Sequence, residues 1–521
     1  MPKYKAYDYS QSSMVVINYE DQLQPGTFEY ALHHLIDSRL DLAVFHPNYQ
    51  NDDAGRPAYD PAILLKIILF AYSKGITSSR EIQWCCETNI LYKALSCDTV
   101  PHFTTIAHFV SSNTEAIEDL FCQIILICDE EGLLGNTLFA IDGCKMSSNA
   151  SKEWSGTHPE LEAKADKILR QIQQQITEHQ RLDETDTEGT ARKERIAKQI
   201  DTLNKSFEKI DKFLKTRSPR IGQGKRGKEV KSNITDNESA KMLTGKGTIQ
   251  GYNGVATVDK KHQIIVDAQA FGSGQEHYTL APVLSSLKTR YSKLGISEDL
   301  YGSGAVITAD TGFANESNMA YLYGKGINGY IPDNKFRERI KQFAGQKDKY
   351  GKRHQKSKGQ QKAATYPSSA FTFDPKSLSC RCPSGEQISF RGMRKDLHGN
   401  DRATFEGRLN QCRRCEIKHR CMKNPSSAIP RTGSGRQVSF PLSDRKPTYT
   451  DWMKNRVDSD YGKYIYSHRM SVVEPVFANI GTQKRLNRFS LRGRKKVDGQ
   501  WKLYCMVHNI EKLANYSRMA A

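Results

Sequence analysis

The stretch Leu138 to Trp154, LFAIDGCKMSSNASKEW, decides how the rest of the chain is interpreted. Its first four residues are apolar and typical of a buried strand, and Asp142 and Gly143 follow them directly. Asp-Gly is a common turn dipeptide, so the sequence predicts a strand that ends in a sharp turn at Gly143. Asp142 is then either a turn former or a metal ligand.

A second apolar stretch, AVITAD from Ala305 to Asp310, also ends in an acid, and a helical pattern from Asn315 to Leu322 follows it. Two carboxylates at two strand ends suit a hard divalent cation, because such a cation prefers several oxygen ligands on rigid supports. The pair therefore favours a metal-ligand role for Asp142 and Asp310.

Length and composition narrow the class of protein. A chain of 521 residues is too long to fold around one hydrophobic core, so we expect two to four domains. The opening MPKYKAYDYS is polar, and apolar runs such as Ile124 to Ile127 are far shorter than the roughly 18 residues of a membrane span. We therefore expect a cytoplasmic protein without a membrane partner.

The net charge of +19 is unevenly distributed along the chain. Residues 331–521 carry 41 Lys+Arg against 16 Asp+Glu, a net +25, whereas residues 1–330 carry 36 against 42, a net −6. An excess of this size indicates a polyanionic partner, most simply double-stranded DNA, because phosphate contacts release counterions. The alternative is a solvated lysine-rich surface.

The first part of the chain is predicted to be helical. Asp60 and Pro61 form an N-cap and first helical position, and Ser78 and Glu81 form a capping box. Short helices with tight turns are typical of a helix-turn-helix module, but a bundle that only supports the rest remains an alternative. Further helices are predicted at Phe28 to Ser38 and Glu115 to Glu131.

The middle of the chain combines a helical insertion with strands. Apolar residues recur every three or four positions from Leu161 to Ile172 and from Ile196 to Leu214, which predicts an antiparallel helical hairpin. The hairpin could clamp DNA, contact a second subunit or simply be solvated. Further strands are predicted at Val255 to Val258, Gln263 to Ala270 and Trp501 to Val507, the last followed by a short helix.

The fold class is therefore α/β, with a mixed sheet flanked by helices. The predicted parts are a helical N-terminal domain, the first core strand, the hairpin insertion, the continued core, a basic Cys-containing insertion and the C-terminal part of the core. Their predicted boundaries are residues 1–135, 136–155, 156–245, 246–333, 334–460 and 461–521.

The basic insertion contains a predicted flexible loop, residues 341–362, and five of the twelve cysteines. Clustered cysteines in a cytoplasmic protein indicate a metal site before they indicate disulfides. The candidate ligands of a structural Zn²⁺ are Cys382, Cys412, Cys415 and Cys421, with Cys380 or His419 as substitutes. Plain reduced thiols remain the alternative.

A third carboxylate is expected from the basic C-terminal part, and Glu474 fits this role. Ser471 and Glu474 predict a capping box that starts a helix from Ser471 to Leu486, with Pro475 tolerated in its first turn. Glu474 and Arg485 would then lie on one face. Residues suited to DNA phosphate contacts surround the acid: Tyr466, Arg469, Lys484, Arg485 and Arg488.

These motifs resemble the DDE transposases of bacterial insertion sequences, closest to the insertion sequence 1182 family with its InsH-like N-terminal domain. The resemblance is carried by GRPAYDP, AIDGCK, SNASKEWSG, GYNGVATVD, ITADTGF, the CP and CRRC cysteines, and RMSVVEPVF. Related transposases place three residues between the arginine and the glutamate of the third motif. Here four separate Arg469 from Glu474, and Gly481 stands at the usual lysine position, so Lys484 is its substitute.

The resemblance implies an RNase H-like core, with Asp142, Asp310 and Glu474 holding two Mg²⁺ or Mn²⁺ ions. It implies cleavage at the terminal inverted repeats of the element and transfer of the 3′-hydroxyl into target DNA by a homodimer bound to DNA. The alternatives are a non-catalytic DNA-binding regulator, a decayed transposase or an RNase H-like nuclease. Four other acids near strand ends compete for the ligand positions: Asp236, Asp259, Asp267 and Asp333.

Overall fold

The structure is a computed structural model that describes part of the chain. The described residues are 10, 16–49, 57–185, 190–222, 227–245, 247–340, 365–396, 399–422, 424–429, 432–442 and 447–517. The predicted basic loop over residues 341–362 lies outside them. The chain divides into two compact units. Unit 1 comprises Met1–Ile331 with Ser459–Ala521, and unit 2 comprises Pro332–Asp458.

Helices make up the described N-terminal part of unit 1. The Asp60 side chain accepts a hydrogen bond from the Ala62 backbone N–H at 2.7 Å, and Pro61 is the first helical residue, as predicted. Ser78 occupies the N-cap of the next helix without a side-chain capping bond. The helices are α1 (Phe28–Ser38), α2 (Pro61–Ser73), α3 (Ser79–Thr88), α4 (Ile90–Ser96), α5 (Phe103–Ser112) and α6 (Thr114–Glu130).

A mixed sheet forms the centre of unit 1. Its strands are β1 (Leu138–Ser147), β4 (Ala240–Thr244), β5 (Gly247–Asp259), β6 (Ile265–Phe271), β7 (Val306–Ala309) and β8 (Asn328–Tyr330), while β2 (Ser155–Gly156) and β3 (Ser232–Asn233) pair separately. The order is β4-β5-β1-β7-β8, with β6 also on β5. Strand β1 is antiparallel to β5 and parallel to β7, and β8 is parallel to β7.

Strand β1 does not end at Asp142. The predicted sharp turn at Gly143 is wrong, because β1 remains paired with β5 as far as Ser147, opposite Gly251. The antiparallel partner offers hydrogen bonds along the whole length of β1, and this tertiary pairing overrides the local turn preference of Asp-Gly. The predicted hairpin of β5 and β6 is present.

Two long helices, α7 (His158–Thr185) and α8 (Thr190–Thr216), follow β2 and pack against each other. Their shared apolar cluster contains Leu161, Ile168, Ile172, Ile210 and Phe213, which matches the predicted seam. Residues 186–189, in the predicted turn, lie outside the described residues. Helices α9 (Leu280–Lys293) and α10 (Glu316–Gly324) come before and after β7.

Unit 2 is built on a five-stranded antiparallel sheet in the order β13-β12-β11-β10-β9. Its strands are β9 (Thr372–Asp374), β10 (Ser379–Arg381), β11 (Gln387–Lys395), β12 (Asp401–Arg408) and β13 (Ser434–Pro441). Its helices are α11 (Phe336–Arg339), α12 (Leu409–Arg414), α13 (Lys418–Cys421) and α14 (Tyr449–Asp458). A small core around Phe371, Ala403 and Phe405 holds the sheet.

Helix α15 (Asp460–Ala478) starts well before the predicted position. Ser459 is its N-cap, so Ser471 and Glu474 lie inside the helix and the predicted capping box is wrong. Pro475 is also interior. Proline lacks the N–H that would bond the carbonyl of Ser471, and the side chain of Gln263 donates to that carbonyl instead, at 2.9 Å.

Helix α16 (Arg494–Tyr516) replaces the predicted last strand at Trp501 to Val507 and the short helix after it. Its middle is buried on every side, and the Trp501 indole N–H donates to the carbonyl of Val255 at 3.0 Å. A helix buried all round lacks the apolar periodicity that distinguishes it from a strand. None of the helices in the described part is long and apolar enough to span a membrane.

Candidate active site

Asp142 and Asp310 lie side by side at the same edge of the sheet. The parallel pairing of β1 and β7 ends with Ile141 opposite Ala309, so the two acids are the next residues of neighbouring strands. The Gly143 N–H donates to Asp142 Oδ1 at 2.8 Å, and the Thr311 N–H donates to Asp310 Oδ1 at 2.5 Å. Backbone bonds therefore hold both carboxylates at the edge.

Arg469 of α15 forms an ion pair with the first of these acids. Its Nη2 lies 2.5 Å from Asp142 Oδ2, and the side chain is only 6% exposed. Burial opposes the charge on Arg469, yet the field of Asp142 raises the arginine's pKa above its ordinary value. Weaker contributions come from Tyr466, Asp310 and Glu474. The Nε atom of Arg469 is buried and has no hydrogen-bond partner in the described part of the chain.

The protonation of Asp142 reflects this environment. Burial raises the pKa of its carboxyl to about 6, although the Arg469 guanidinium opposes the increase. The charges of Asp310 and Glu276 add to it. The free-energy cost of burying the Asp142 carboxylate is therefore larger than the stabilisation that its ion pair with Arg469 provides.

Glu276 is a third acid at this edge, and it is not among the acids predicted from the sequence. It lies in a short 3-10 helix, Glu276–Tyr278, between β6 and α9. Burial raises its pKa and the charge of Asp310 adds to the effect, while a hydrogen bond from Asn253 opposes it. A Cβ on Gly312 would lie 2.2 Å from Glu276 Oε2, so the carboxylate covers the turn after Asp310. We call Asp142, Asp310 and Glu276 the acidic cluster.

No local pattern marks Glu276 in the sequence. An acid shortly before a helix usually serves as a capping or first-turn residue, and GQEHY contains no strand that ends on the acid. The topology carries the signal: β6 and β1 are both antiparallel to β5, so they run in the same direction and their chain ends reach one edge. This direction follows only from the pairing of strands distant in sequence.

Glu474 is brought to the neighbourhood of the acidic cluster by α15. It lies five residues after Arg469, its side chain is exposed, and its charge acts on Arg469. Across the described residues, no three His, Cys, Asp or Glu side chains already stand together as a set that could hold a metal ion. Asp142 and Asp310 are thus adjacent, whereas Glu474 is linked to them through the arginine.

The residues predicted to contact DNA differ in their accessibility. Arg485 and Arg488 are exposed, and the backbone of Arg488 pairs with Ser147 at the end of β1. Lys484 is 7% exposed and its Nζ lies 2.9 Å from Glu511 Oε1. Helix α15 ends at Ala478 and a π turn follows, so the predicted shared face of Glu474 and Arg485 on one helix is wrong.

The competing acids all have structural partners. Asp236 accepts from the Tyr252 hydroxyl at 2.8 Å, and Asp259 accepts from the backbone N–H of Asn136 at 2.8 Å. The remaining two are paired with arginines: Asp267 with Arg290, and Asp333 with Arg339 within unit 2. These contacts explain why acids near strand ends need not bind a metal ion.

The oxygen donors at the sheet edge fit a hard divalent cation in chemical type. Asp142 and Asp310 supply carboxylates, and the buried Asn253 carries a side-chain Oδ1 that has no partner among the described residues. Arg469 occupies one oxygen of Asp142, so a cation and this arginine would compete there. In unit 2, the four candidate zinc ligands surround one cavity, which we call the cysteine cavity: Cys382, Cys412, Cys415 and Cys421.

Comparison with known protein families gives two matches. Residues 381–514 match the transposase DDE domain, and residues 17–112 match a transposase domain of the DUF772 family. The first match includes Arg469 and Glu474 and does not include Asp142 and Asp310. No curated protein matches the chain. The matches do not distinguish between families of insertion sequences, so the resemblance to the 1182 family remains a prediction.

Proposed function

We propose that this chain, a transposase by the two family domains it carries, cleaves DNA at the ends of its element and joins the freed 3′-hydroxyl to target DNA. The observation that carries the proposal is the adjacency of Asp142 and Asp310, each directly after the last parallel pair of β1 and β7, with Arg469 on Asp142. Phosphoryl transfer on DNA needs cations that stabilise charge and hydrogen-bond donors that orient the phosphate. The two carboxylates and Arg469 at this edge suit these two roles.

The sheet supports an RNase H-like core for this reaction. Strand β5 is antiparallel to its neighbours β6 and β1. Strands β7 and β8 continue the sheet parallel to β1. Asp142 lies within the central strand β1 and Asp310 directly follows its parallel neighbour β7, where rigid backbone positions carboxylates well. The helical N-terminal part and the Cys-containing unit would be additions to this core.

Asp142 and Asp310 would hold Mg²⁺ or Mn²⁺, with Glu474 as the third ligand. Two such ions, when bound, activate the attacking water or 3′-hydroxyl and stabilise the leaving oxygen. Glu474 would reach this site by a movement of its exposed side chain and of α15, and its charge already acts on Arg469. Arg469 balances the negative charge until the cation binds.

Arg469 would then bind the DNA phosphate. Its buried Nε has no partner in the described part of the chain, and a guanidinium forms paired hydrogen bonds with phosphate oxygens. The exposed Arg485 and Arg488 lie further along the same segment and suit contacts to the DNA backbone. The expected assembly is a homodimer on two terminal inverted repeats, in the cytoplasm.

A strand-transfer assay tests the proposal. Purified protein is incubated with Mg²⁺ and a duplex carrying the inverted repeats that flank the gene, and nicked and joined products are measured. Asp310→Asn should reduce both by at least about a thousand-fold, equivalent to about 4 kcal/mol of barrier, without loss of DNA binding. Asp201→Asn, on an exposed face of α8, is the matched control and should retain activity.

The outcomes separate the proposal from its alternatives. A nuclease would nick the duplex without joining it, and a non-catalytic regulator would bind it without nicking. Either result would overturn the proposed strand transfer. Full activity of Asp310→Asn would overturn the assignment of the site.

A further inference from the structure

The cysteine cavity gathers four thiols from separate parts of unit 2. Cys382 follows β10, Cys412 lies in α12, Cys415 ends that helix, and Cys421 ends α13. The cavity they line has a volume of about 40 Å³, which is enough to accommodate an ion. Charges on the other three thiols act on Cys421, so all four are close.

The backbone is shaped to present these thiols. The Gly385 N–H donates to the Cys382 carbonyl and the Cys382 N–H donates to the Glu386 carbonyl, both at 2.8 Å, which closes a tight turn. Gly385 has φ of +85°, a conformation that side-chain-bearing residues rarely adopt. Cys412 and Cys415 follow in the Cys-x-x-Cys spacing of thiolate metal sites.

Two glycines leave room for one of the sulfur atoms. A Cβ on Gly435 would lie 2.5 Å from Cys412 Sγ, and a Cβ on Gly407 would lie 3.3 Å from it. Strands β12 and β13 therefore keep their surface open at the position where this thiol enters. An ordinary core would fill such a space with a side chain.

The surroundings differ from those of a structural core thiol in the same sheet. Cys380 is 1% exposed, belongs to the apolar core with Ile388 and Phe405, and does not line the cavity. Cys382, Cys412 and Cys415 are only partly buried. His419 is exposed and its Nδ1 lies 3.1 Å from the Glu416 carbonyl oxygen. Cys421 belongs to the same apolar core but also lines the cavity, so the lining favours Cys382 and Cys421 over Cys380 and His419 as ligands.

Cationic groups at the cavity match the charge that a thiolate site would carry. Arg436 and Lys418 line it, and the buried Nε of Arg436 has no hydrogen-bond partner in the described parts of the chain. A guanidinium N–H can donate to a metal-bound sulfur and orient it. The described thiols are free, with no disulfide among them.

We propose that Cys382, Cys412, Cys415 and Cys421 bind one structural Zn²⁺ in unit 2. Four thiols would lose four protons and form four Zn–S bonds of about 2.3 Å, giving a centre of charge −2 beside Arg436. Among the described residues these thiols do not already form a metal-binding set, so binding would need the turn and the two helices to move towards the metal. The ion would brace a small unit and take no part in phosphoryl transfer.

Metal analysis of the full-length protein tests this proposal without DNA. Protein purified without chelators should contain one zinc per chain by inductively coupled plasma mass spectrometry. Cobalt exchange should give the visible absorption of tetrahedral Co²⁺ with thiolate charge-transfer bands. Cys412→Ser combined with Cys415→Ser should abolish stoichiometric zinc, whereas Cys380→Ala should retain it.

Two results would overturn the zinc proposal. One is wild-type protein without stoichiometric zinc and without a tetrahedral cobalt spectrum, a result that does not depend on whether any variant folds. The other is full zinc content after both substitutions in the Cys-x-x-Cys motif. Asp142→Asn should keep its zinc, so failure at the acidic cluster and failure at the cysteine cavity are distinguishable.

Discussion

The acidic cluster and the cysteine cavity differ in how the protein balances their reactive groups. Strand pairing places Asp142 beside Asp310, and Arg469 neutralises part of their charge within the fold. The thiols are supplied by a turn and two short helices, and they need no counterion while they carry protons. Unit 1 therefore has an edge that is organised by the protein alone, whereas unit 2 would need a metal ion for its final order.

Chelation should give the largest contrast between the two regions. The binding of structural zinc contributes about 10–16 kcal/mol to the folding free energy of small zinc-finger peptides. Removal of the zinc should therefore partly unfold the segment from β10 to β13. Hydrogen exchange measured by mass spectrometry should accelerate strongly in peptides covering residues 379–441. Peptides covering β1 and β7 should remain protected. An equal increase of the exchange rate in both sets of peptides would contradict the proposed difference between the two regions.

A smaller effect concerns the packing of α16 against the connection between β5 and β6. His508 is buried, its Nε2 lies 2.9 Å from the Gln263 carbonyl oxygen, and its Nδ1 lies 2.9 Å from Asn479 Nδ2. These contacts suit a neutral ring that donates to the carbonyl and accepts from the amide. Burial lowers the pKa of His508 to about 4 from an ordinary 6.5.

The unfolded chain therefore gains a proton at this histidine near pH 6.5, whereas the folded chain gains it only near pH 4. The free energy of unfolding should fall by about 3 kcal/mol as pH decreases through this window. His508→Gln should flatten the decrease in urea titrations. His108→Gln, at an exposed position, is the control. Parallel curves for His508→Gln and the wild type would contradict the assignment.

Glu276 provides the smallest and most specific test of the acidic cluster. Glu276→Gln removes the negative charge and retains an oxygen that accepts from Asn253. The Mn²⁺ concentration for half-maximal cleavage should rise about ten-fold, equivalent to about 1.4 kcal/mol. Glu298→Gln, on an exposed loop, should leave it unchanged. An unchanged metal dependence in Glu276→Gln with a loss of folding in Glu276→Ala would indicate a purely structural role.

The sequence predicted the parts of the molecule that depend on local pattern. The strands before Asp142 and Asp310, the hairpin of β5 and β6, and the N-cap at Asp60 all follow from short-range signals. The seam of α7 and α8 follows from its three- and four-residue spacing. These elements carry their own periodicity or capping chemistry, so no tertiary contact is required to recognise them.

The errors arise where distant contacts override local preference. Trp501 to Val507 is a short, almost continuously apolar run that suits a buried strand, yet surrounding elements bury it as a helix on all sides. Ser471 and Glu474 match a capping box, but the helix has already begun at Asp460. Glu276 and the ion pair of Arg469 arise only after strands and helices far apart in sequence are packed together.

The most direct test of the central claim is a structure of the protein bound to an inverted-repeat duplex in Mn²⁺, with the metal located by anomalous scattering. We predict Mn²⁺ between the carboxylates of Asp142 and Asp310, with Arg469 turned from Asp142 to the DNA phosphate. An Arg469 that still pairs with Asp142, without an anomalous peak near either acid, would contradict it.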